Sequence, residues 1–387
     1  MYSVKIATIK EFEESKDLWN KLTAAMPLPS IFCTWEWIYT WWEHFGKYYK
    51  LLLLFIYEDA ELKGILPLAS HRTILQNGWL TGRILTYCGS RELYPDHLDI
   101  ISSKKDAAHC IDAILRFLFC HYYKGWDVCD LKLLVEDGNL ISWLKKNQQN
   151  EVIPCDVMIQ QVSHANFISI RGSFEEYVNS LGTKQRYNLK SRRKKLYEEH
   201  GFMYRSCDPL IDSNVLDILF KLHAMRSIKK GIHSTFTNSG VFEFHKDLIQ
   251  RINKNGWLSL RVLKNDREVI AVSYNFFYEG RIFSYQKGMD PKWERYGPGR
   301  TIVYEAINEA FANGNKEYNF LQGDEEYKYT WAKTQRELLN VNIFNKTLNG
   351  NISKKVFSVK ELIKNTLRKN ATDSRPSDNS LSSRSVV

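Results

Sequence analysis

Between residues 257 and 321 the hydrophobic period changes twice. Residues 257–263, 268–278 and 281–288 alternate apolar and polar side chains with period two. They are joined by Lys264-Asn265-Asp266 and by Glu279-Gly280, and they read as an antiparallel meander. A loop over 289–296 then leads into Gly297-Pro298-Gly299, and the period becomes helical over 300–312. Asn313-Gly314 stops that helix, and period two returns over 317–321. Gly323-Asp324, a short helix around 327–333 and a last strand over 338–344 complete the pattern. A chain patterned in this way is α+β. Its sheet feeds a helix N-terminus through a glycine-rich turn.

Roughly the first 170 residues read as mixed α/β in the same style. Strands are expected over 2–9, 50–57, 61–70, 83–88, 126–134 and 152–160, with helices over 12–22, 30–45, 107–123 and 140–147. The Trp35, Trp37, Trp41 and Trp42 group suits a helical core better than a sugar-stacking platform. The second half opens on a capping box, Ser173 with Glu176. Helices are expected over 174–181, 210–230 and 241–254, with a basic helix that stops at Gly201. Both halves run helix pair, meander, helix, strand, which suggests a structural duplication without a fixed-period repeat. The expected division is 1–170, 171–355, and a basic helix remnant with a serine-rich tail over 356–387 that composition predicts to be disordered.

With 387 residues, 44% hydrophobic and 25% charged, the chain has the composition of a globular protein of about two domains. Its longest apolar run, 51–57, falls far short of the roughly 20 residues a membrane span needs. Residues 1–10 show no apolar signal core. The seven cysteines are scattered without a C-x-x-C pair, which points to a reducing cytoplasm and away from a disulfide or zinc scaffold. The histidines show no metal-ligand spacing, so no metal is expected. The net charge of +10 is uneven. Residues 184–195 carry +7 and residues 346–387 carry +6, which leaves the rest at −3. That distribution favours a local anionic contact over a surface coated for DNA.

Two features carry chemistry. The Gly-Pro-Gly turn presents a helix N-terminus, where unpaired N–H groups and the helix dipole suit a pyrophosphate. Gly297 and Gly299 allow close backbone approach, and Arg295 and Arg300 can add charge. The other reading is a common helix-start device. After the next strand comes Gly323-Asp324-Glu325-Glu326-Tyr327-Lys328-Tyr329, a dense ionisable loop at a strand end. Here too a solvated turn capped by Asp324 is the alternative.

The run Tyr296-Gly-Pro-Gly-Arg, then a helix, then Tyr318-Asn-Phe-Leu-Gln-Gly-Asp-Glu-Glu-Tyr-Lys-Tyr-Thr-Trp331 resembles the CelD/BcsL-type acyltransferases of the GNAT (Gcn5-related N-acetyltransferase) superfamily. Fem-type aminoacyl-tRNA-dependent peptidyltransferases are relatives of that group. Leu222-His-Ala-Met-Arg226 with Lys230-Gly231, and the Trp-rich stretch over 32–46, agree with the resemblance, which covers residues 30–345. It implies tandem GNAT-like domains, each a mixed, mostly antiparallel sheet flanked by helices. It implies acetyl-CoA or another acyl-CoA in the second, with the pantetheine beside 281–288 and the pyrophosphate on Gly297–Thr301. Asp324 would be the general base, Lys328 an oxyanion or anion partner, and Tyr285 or Tyr327 the acid for the thiolate. His223 and Arg226, three apart on one helix face, would contact substrate. Two departures from the pattern stand out. Glu294 occupies the place where GNAT proteins carry Gln or Arg, and Pro298 removes one N–H from the cradle.

Three functions follow as expectations. The first is an acetyl-CoA-dependent transfer to a sugar or glycan precursor, nucleotide- or lipid-linked, in polysaccharide or cell-envelope biosynthesis. The second is a Fem-like transfer from aminoacyl-tRNA. The third is a non-enzymatic nucleic-acid or membrane-surface binder acting through the basic helix and tail, with peripheral contact only.

Overall fold

Most strands lie where the periodicity put them. The first, expected over 2–9, ends at Ile6 because Thr8 caps a helix that starts at Ile9, and two short strands, Ile101–Ser102 and Met203–Ser206, were not expected. In the computed structural model, residues 1–74, 81–147, 156–209, 211–212, 214–231 and 238–373 are described. The strands are β1 (Tyr2–Ile6), β2 (Lys50–Glu58), β3 (Glu61–Ile74), β4 (Thr81–Tyr87), β5 (Ile101–Ser102), β6 (Val128–Val135) and β7 (Asp156–Ser169) in the first half. In the second half they are β8 (Met203–Ser206), β9 (Leu258–Lys264), β10 (Val269–Tyr278), β11 (Arg281–Met289), β12 (Glu317–Gln322) and β13 (Thr334–Phe344). The first seven helices are α1 (Ile9–Glu14), α2 (Lys16–Ala24), α3 (Trp35–Phe45), α4 (Ala107–Arg116), α5 (Asn139–Asn147), α6 (Phe174–Ser180) and α7 (Thr183–Lys194). The others are α8 (Val215–Lys230), α9 (Ser239–Lys254), α10 (Pro298–Ala312), α11 (Glu326–Trp331) and α12 (Leu348–Asp373).

The local signals act as read. Ser173 accepts from the Glu176 N–H while Glu176 reaches back, which starts α6. Gly201, with φ of +66°, ends the basic stretch after a π-turn over Lys195–Glu199. The early helix expected over 12–22 is split at Ser15, which caps one helix and opens the next. Beyond β13 the chain is a helix up to Asp373; the tail expected to be disordered lies, from 374 on, outside the described residues. Residues 152–155 of the expected 152–160 strand lie outside them too, and the strand itself extends to Ser169.

The thirteen strands of the described residues join one sheet in the order β1-β2-β3-β4-β6-β13-β7-β12-β11-β10-β9-β8, with β5 beside β3. Exchanging each first-half strand with its counterpart (β1 with β8, β2 with β9, β3 with β10, β4 with β11, β6 with β12, β7 with β13) leaves this order unchanged. The two parallel pairings fall at matching places. β4 meets β6 over 84–86 and 128–130, and β11 meets β12 over 281–283 and 317–319. Each is bridged by a helix, as a parallel pair requires. The last strands are exchanged, for β13 lies against β6 and β7 lies against β12.

The core runs through the seam. Phe32 packs edge-on against Phe276 and Phe283 at 6.1 and 5.8 Å, and Trp37 against Phe244 and Phe276 at 5.2 and 5.8 Å. The tryptophan helix α3 is therefore interior, and Trp37 is fully buried. Its indoles join two halves through aromatic area.

Candidate functional site

β11 and β12 run side by side for three register pairs, ending at Phe283 and Asn319. They then part. β12 turns toward β7 through a register shift at 319–322, with Leu321 at φ of +60°. A left-handed leucine is strained, and the Asn319 side chain, accepting from the Leu321 N–H at 2.8 Å, holds it. Past Phe283, β10 is the only ladder partner of β11 among the described residues, which leaves backbone N–H groups on the β12 side without a strand partner there.

A cavity of about 240 Å³ fills this wedge. α8 contributes His223, Arg226 and Ser227, β11 contributes Tyr285 and Lys287, and the end of β12 with α11 contributes Glu325, Tyr327 and Lys328. α8 can lie so close because residue 288 is glycine. A Cβ there would stand 2.8 Å from Leu222 Cβ and 3.0 Å from the Leu219 carbonyl.

Lys328 is buried, and its ammonium is spent on local partners. It donates to the Leu321 carbonyl at 3.2 Å and to the Gln322 carbonyl, and it pairs with Glu325 at 2.9 Å. A lysine has three donors, so it pins the turn and has none left for an oxyanion. Burial opposes ionisation of Glu325, but Lys328 prevails and holds the carboxyl below its usual range. Lys287 is different. Its Nζ is buried without a hydrogen-bond partner among the described residues and lies 3.5 Å from the centroid of the Tyr327 ring. Burial, with Lys328 and Arg226 adding repulsion, pushes its ammonium well below the usual lysine range. Burial lowers His223 as well, again with Arg226 adding to it.

A second recess, also about 240 Å³, shares Tyr285, Gln286, Leu321 and Gln322 with the first. Its other wall is a first-half loop carrying Glu92 and Asp96. Glu92 accepts from Trp41 Nε1 at 2.8 Å and from the Tyr49 hydroxyl. Asp96 accepts from the Gln322 N–H and lies 2.9 Å from His97 Nδ1. The Asn319 amide is oriented by the Leu321 N–H, so its nitrogen faces His97 Nε2 at 3.1 Å and donates to it. His97 Nδ1 therefore carries the proton and donates it to Asp96. Asn319 also donates to Glu317 at 2.8 Å, and Arg336 grips Glu317 through both oxygens. This network ties the first-half loop to β12.

Tyr285, in the shared wall, has its hydroxyl 3.3 Å from His245 Nε2, whose Nδ1 lies 3.3 Å from the Tyr274 hydroxyl. Burial lowers His245 to about 3 and pushes the Tyr285 phenol up. Burial also raises Tyr327.

The sequence-derived candidates divide. Tyr285, Tyr327, Lys328, His223 and Arg226 come together in the wedge. Asp324 does not line it. Its carboxylate is 76% exposed and sits 3.5 Å from His164. The turn residues form another place. Gly297 is the left-handed N-cap of α10. The Arg300 and Thr301 N–H groups both return to the Gly297 carbonyl, at 3.0 and 3.1 Å, and Pro298 has none. The amide cradle is thus reduced to Gly299. The Thr301 hydroxyl is buried without a partner among the described residues. Arg295 stacks on Tyr296 and donates to its hydroxyl. Glu294 pairs with Lys229. The basic helix supplies charge instead. The Arg192 guanidinium would come within 2.9 Å of a Cβ on Gly297, and a recess of about 340 Å³ is lined by Arg192, Lys195, Arg295 and Tyr296.

Sequence reasoning missed Lys287, Asp96 and His97, and took Arg192 only as one charge of the basic run over 184–195. Lys287 sits in an ordinary strand alternation, although Gly288 beside it signals close approach. Pro95-Asp96-His97 was a weak signal in a loop between strands. Among the described residues no group of three or more His, Cys, Asp or Glu could hold a metal, and no helix is long and apolar enough to cross a membrane.

Residues 183–329, which include the wedge and the basic recess, match the acetyltransferase (GNAT) domain. No curated protein matches the chain. Among solved structures, FemX is similar at 9% identity and a TM-score of 0.59, covering 91% of this chain and all of that one. A conserved protein of unknown function from Bacteroides thetaiotaomicron VPI-5482 follows at 10% identity and a TM-score of 0.53, covering 89% and 100%. The C-terminal domain of a putative lysylphosphatidylglycerol synthetase from Agrobacterium fabrum has 8% identity and a TM-score of 0.51, covering 90% and 97%. At such identities these likenesses speak for the fold alone. The chain is an enzyme of the acyltransferase class, with a GNAT-type acetyltransferase domain over residues 183–329.

Proposed function

We propose that the chain moves an acyl group, acetyl in the first instance, from coenzyme A to an amine of a sugar or glycan precursor, as the CelD/BcsL resemblance implies. The observation that carries this reading is the wedge between β11 and β12, which lies inside the matched acetyltransferase stretch and opens strand N–H groups to a thioester. The pyrophosphate would rest on Gly299 with Arg192, Lys195 and Arg295. The acceptor would enter by the second recess.

In this scheme the amine nitrogen attacks the thioester carbon, the C–N bond forms, and collapse breaks the C–S bond. The Asp96 carboxylate, aimed by His97 and the Gln322 N–H, takes the proton from nitrogen. The Tyr285 phenol, backed by His245, gives one to the thiolate. Lys328 positions the end of β12. The role first expected for Asp324 passes to Asp96, which has the better placement.

A second reading keeps the transfer but takes aminoacyl-tRNA as donor. It draws on the thin amide cradle at Gly297–Thr301 and the exposed basic helix. Thioester consumption by wild type, Asp96→Asn and Tyr285→Phe tests the first reading. Each variant should lose about 10²–10⁴-fold, the usual share of general acid–base catalysis. Full activity in both would move the site elsewhere. Absence of coenzyme A binding, with tRNA binding that weakens steeply in salt, would select the second reading.

A further inference from the structure

The cations and anions in the wedge do not balance. Arg226, Lys287 and Lys328 line it, and among the described residues Glu325 is the only carboxylate in its lining. Glu325 is committed to Lys328 at 2.9 Å. Lys287 Nζ is buried, has no hydrogen-bond acceptor among the described residues, and rests on the face of Tyr327. A ring face compensates an ammonium only in part. A buried amine without an acceptor is costly to keep. The remaining polar side chains among its described lining residues are not carboxylates, and Glu325 acts on Lys287 through space without bonding to it. A chain that keeps such a lysine beside an arginine has built half of an ion pair.

We propose that Lys287 and Arg226 form an oxyanion subsite, which takes a carboxylate or phosphate carried by one of the reacting partners into the wedge. The proposal rests on the acyl-transfer reading for its place in the reaction. It goes beyond it in chemical class, since a plain acetyl group has no anion to offer. Because burial already pushes Lys287 toward its neutral form, an anionic ligand should bind with uptake of a proton and more weakly as pH rises.

Calorimetric titration of the full chain with acetyl-CoA, succinyl-CoA and inorganic phosphate tests this. If the anion travels on the acyl group, succinyl-CoA should bind at least tenfold more tightly than acetyl-CoA, and Lys287→Met should bring that ratio to about one. If it is a phosphate, the two thioesters should bind alike while phosphate raises the melting temperature of wild type and not of Lys287→Met. Arg226→Gln should act in the same direction, which guards against a folding defect in one variant. The subsite is overturned if neither variant changes any of these responses, even when acetyl-CoA binds and is consumed. Failure of both thioesters to bind, with a Lys287-dependent phosphate response, would sink the coenzyme A reading and keep the subsite.

Discussion

At the residue scale, the site is governed by what burial does to ionisable groups. His245 lies wholly within the core between Tyr274 and Tyr285, and burial lowers it to about 3. The unfolded chain carries an ordinary histidine near 6.5. The folded state therefore binds fewer protons than the unfolded state between those values, and stability falls as pH drops through that window. A single group contributes at most about 1.4 kcal/mol per pH unit there. Urea unfolding at pH 7 and at pH 5 should show this loss in wild type and a shallower loss in His245→Gln. Equal slopes would mean that His245 is solvated or charged in the fold. Lys328 makes the complementary point. A buried lysine in a cleft looks catalytic, yet its three donors are already engaged by Leu321, Gln322 and Glu325.

At the element scale, two contacts set the site. The α8–β11 contact is allowed by Gly288, and the neighbours a Cβ would strike include backbone. Gly288→Ala should force α8 outward at a cost of about 1–3 kcal/mol, typical of overpacking, and lower thioester turnover by displacing His223 and Arg226. Thermal unfolding with a steady-state assay would check it, and a variant with native turnover would show that the wedge tolerates the shift. The other contact brings α7 to the Gly297 turn. In the proposed coenzyme A site, Arg192 and Lys195 would stand in for the amides that Pro298, Arg300 and Thr301 do not offer. The pair Arg192→Gln and Lys195→Gln should weaken coenzyme A binding about tenfold or more at low salt, with a smaller difference at 0.5 M salt where exposed charges are screened. A salt-independent deficit would point to misfolding of α7.

At the scale of the whole molecule, the two halves are laced together. β13 borrows β6 as a neighbour and β7 borrows β12, while Phe32 and Trp37 lie on Phe276 and Phe244. A fragment ending at residue 170 would expose the edge of β7, and one starting at 171 would leave β13 without either neighbour. Calorimetry should record one cooperative transition, and Trp37→Ala should lower it by about 3–5 kcal/mol, the usual cost of truncating a buried aromatic. Two separate transitions, with only one sensitive to Trp37, would show that the halves fold on their own. The same interlacing puts the Asp96 loop of the first half against β12 of the second, so the second recess is built from both halves.

What short-range physics controls was legible in the chain. Turn residues and period placed the 257–288 meander, the Ser173–Glu176 box opened α6, and Gly297-Pro298-Gly299 opened α10. Type, spacing and order of the later strands followed, as did the segregation of charge. Strand partners did not follow, because nothing in the alternation of β7 or β13 says which edge it will join. Nor did the roles of single ionisable residues. Asp324 and Lys328 stand out in a line of text, yet one is exposed and the other saturated. Lys287 and Asp96 look ordinary there, and only the packing of α8 and α11 around the first and of the β12 end against the second removes water from them. Burial and partner count are sums over residues distant in the chain, so the tertiary structure alone decides them.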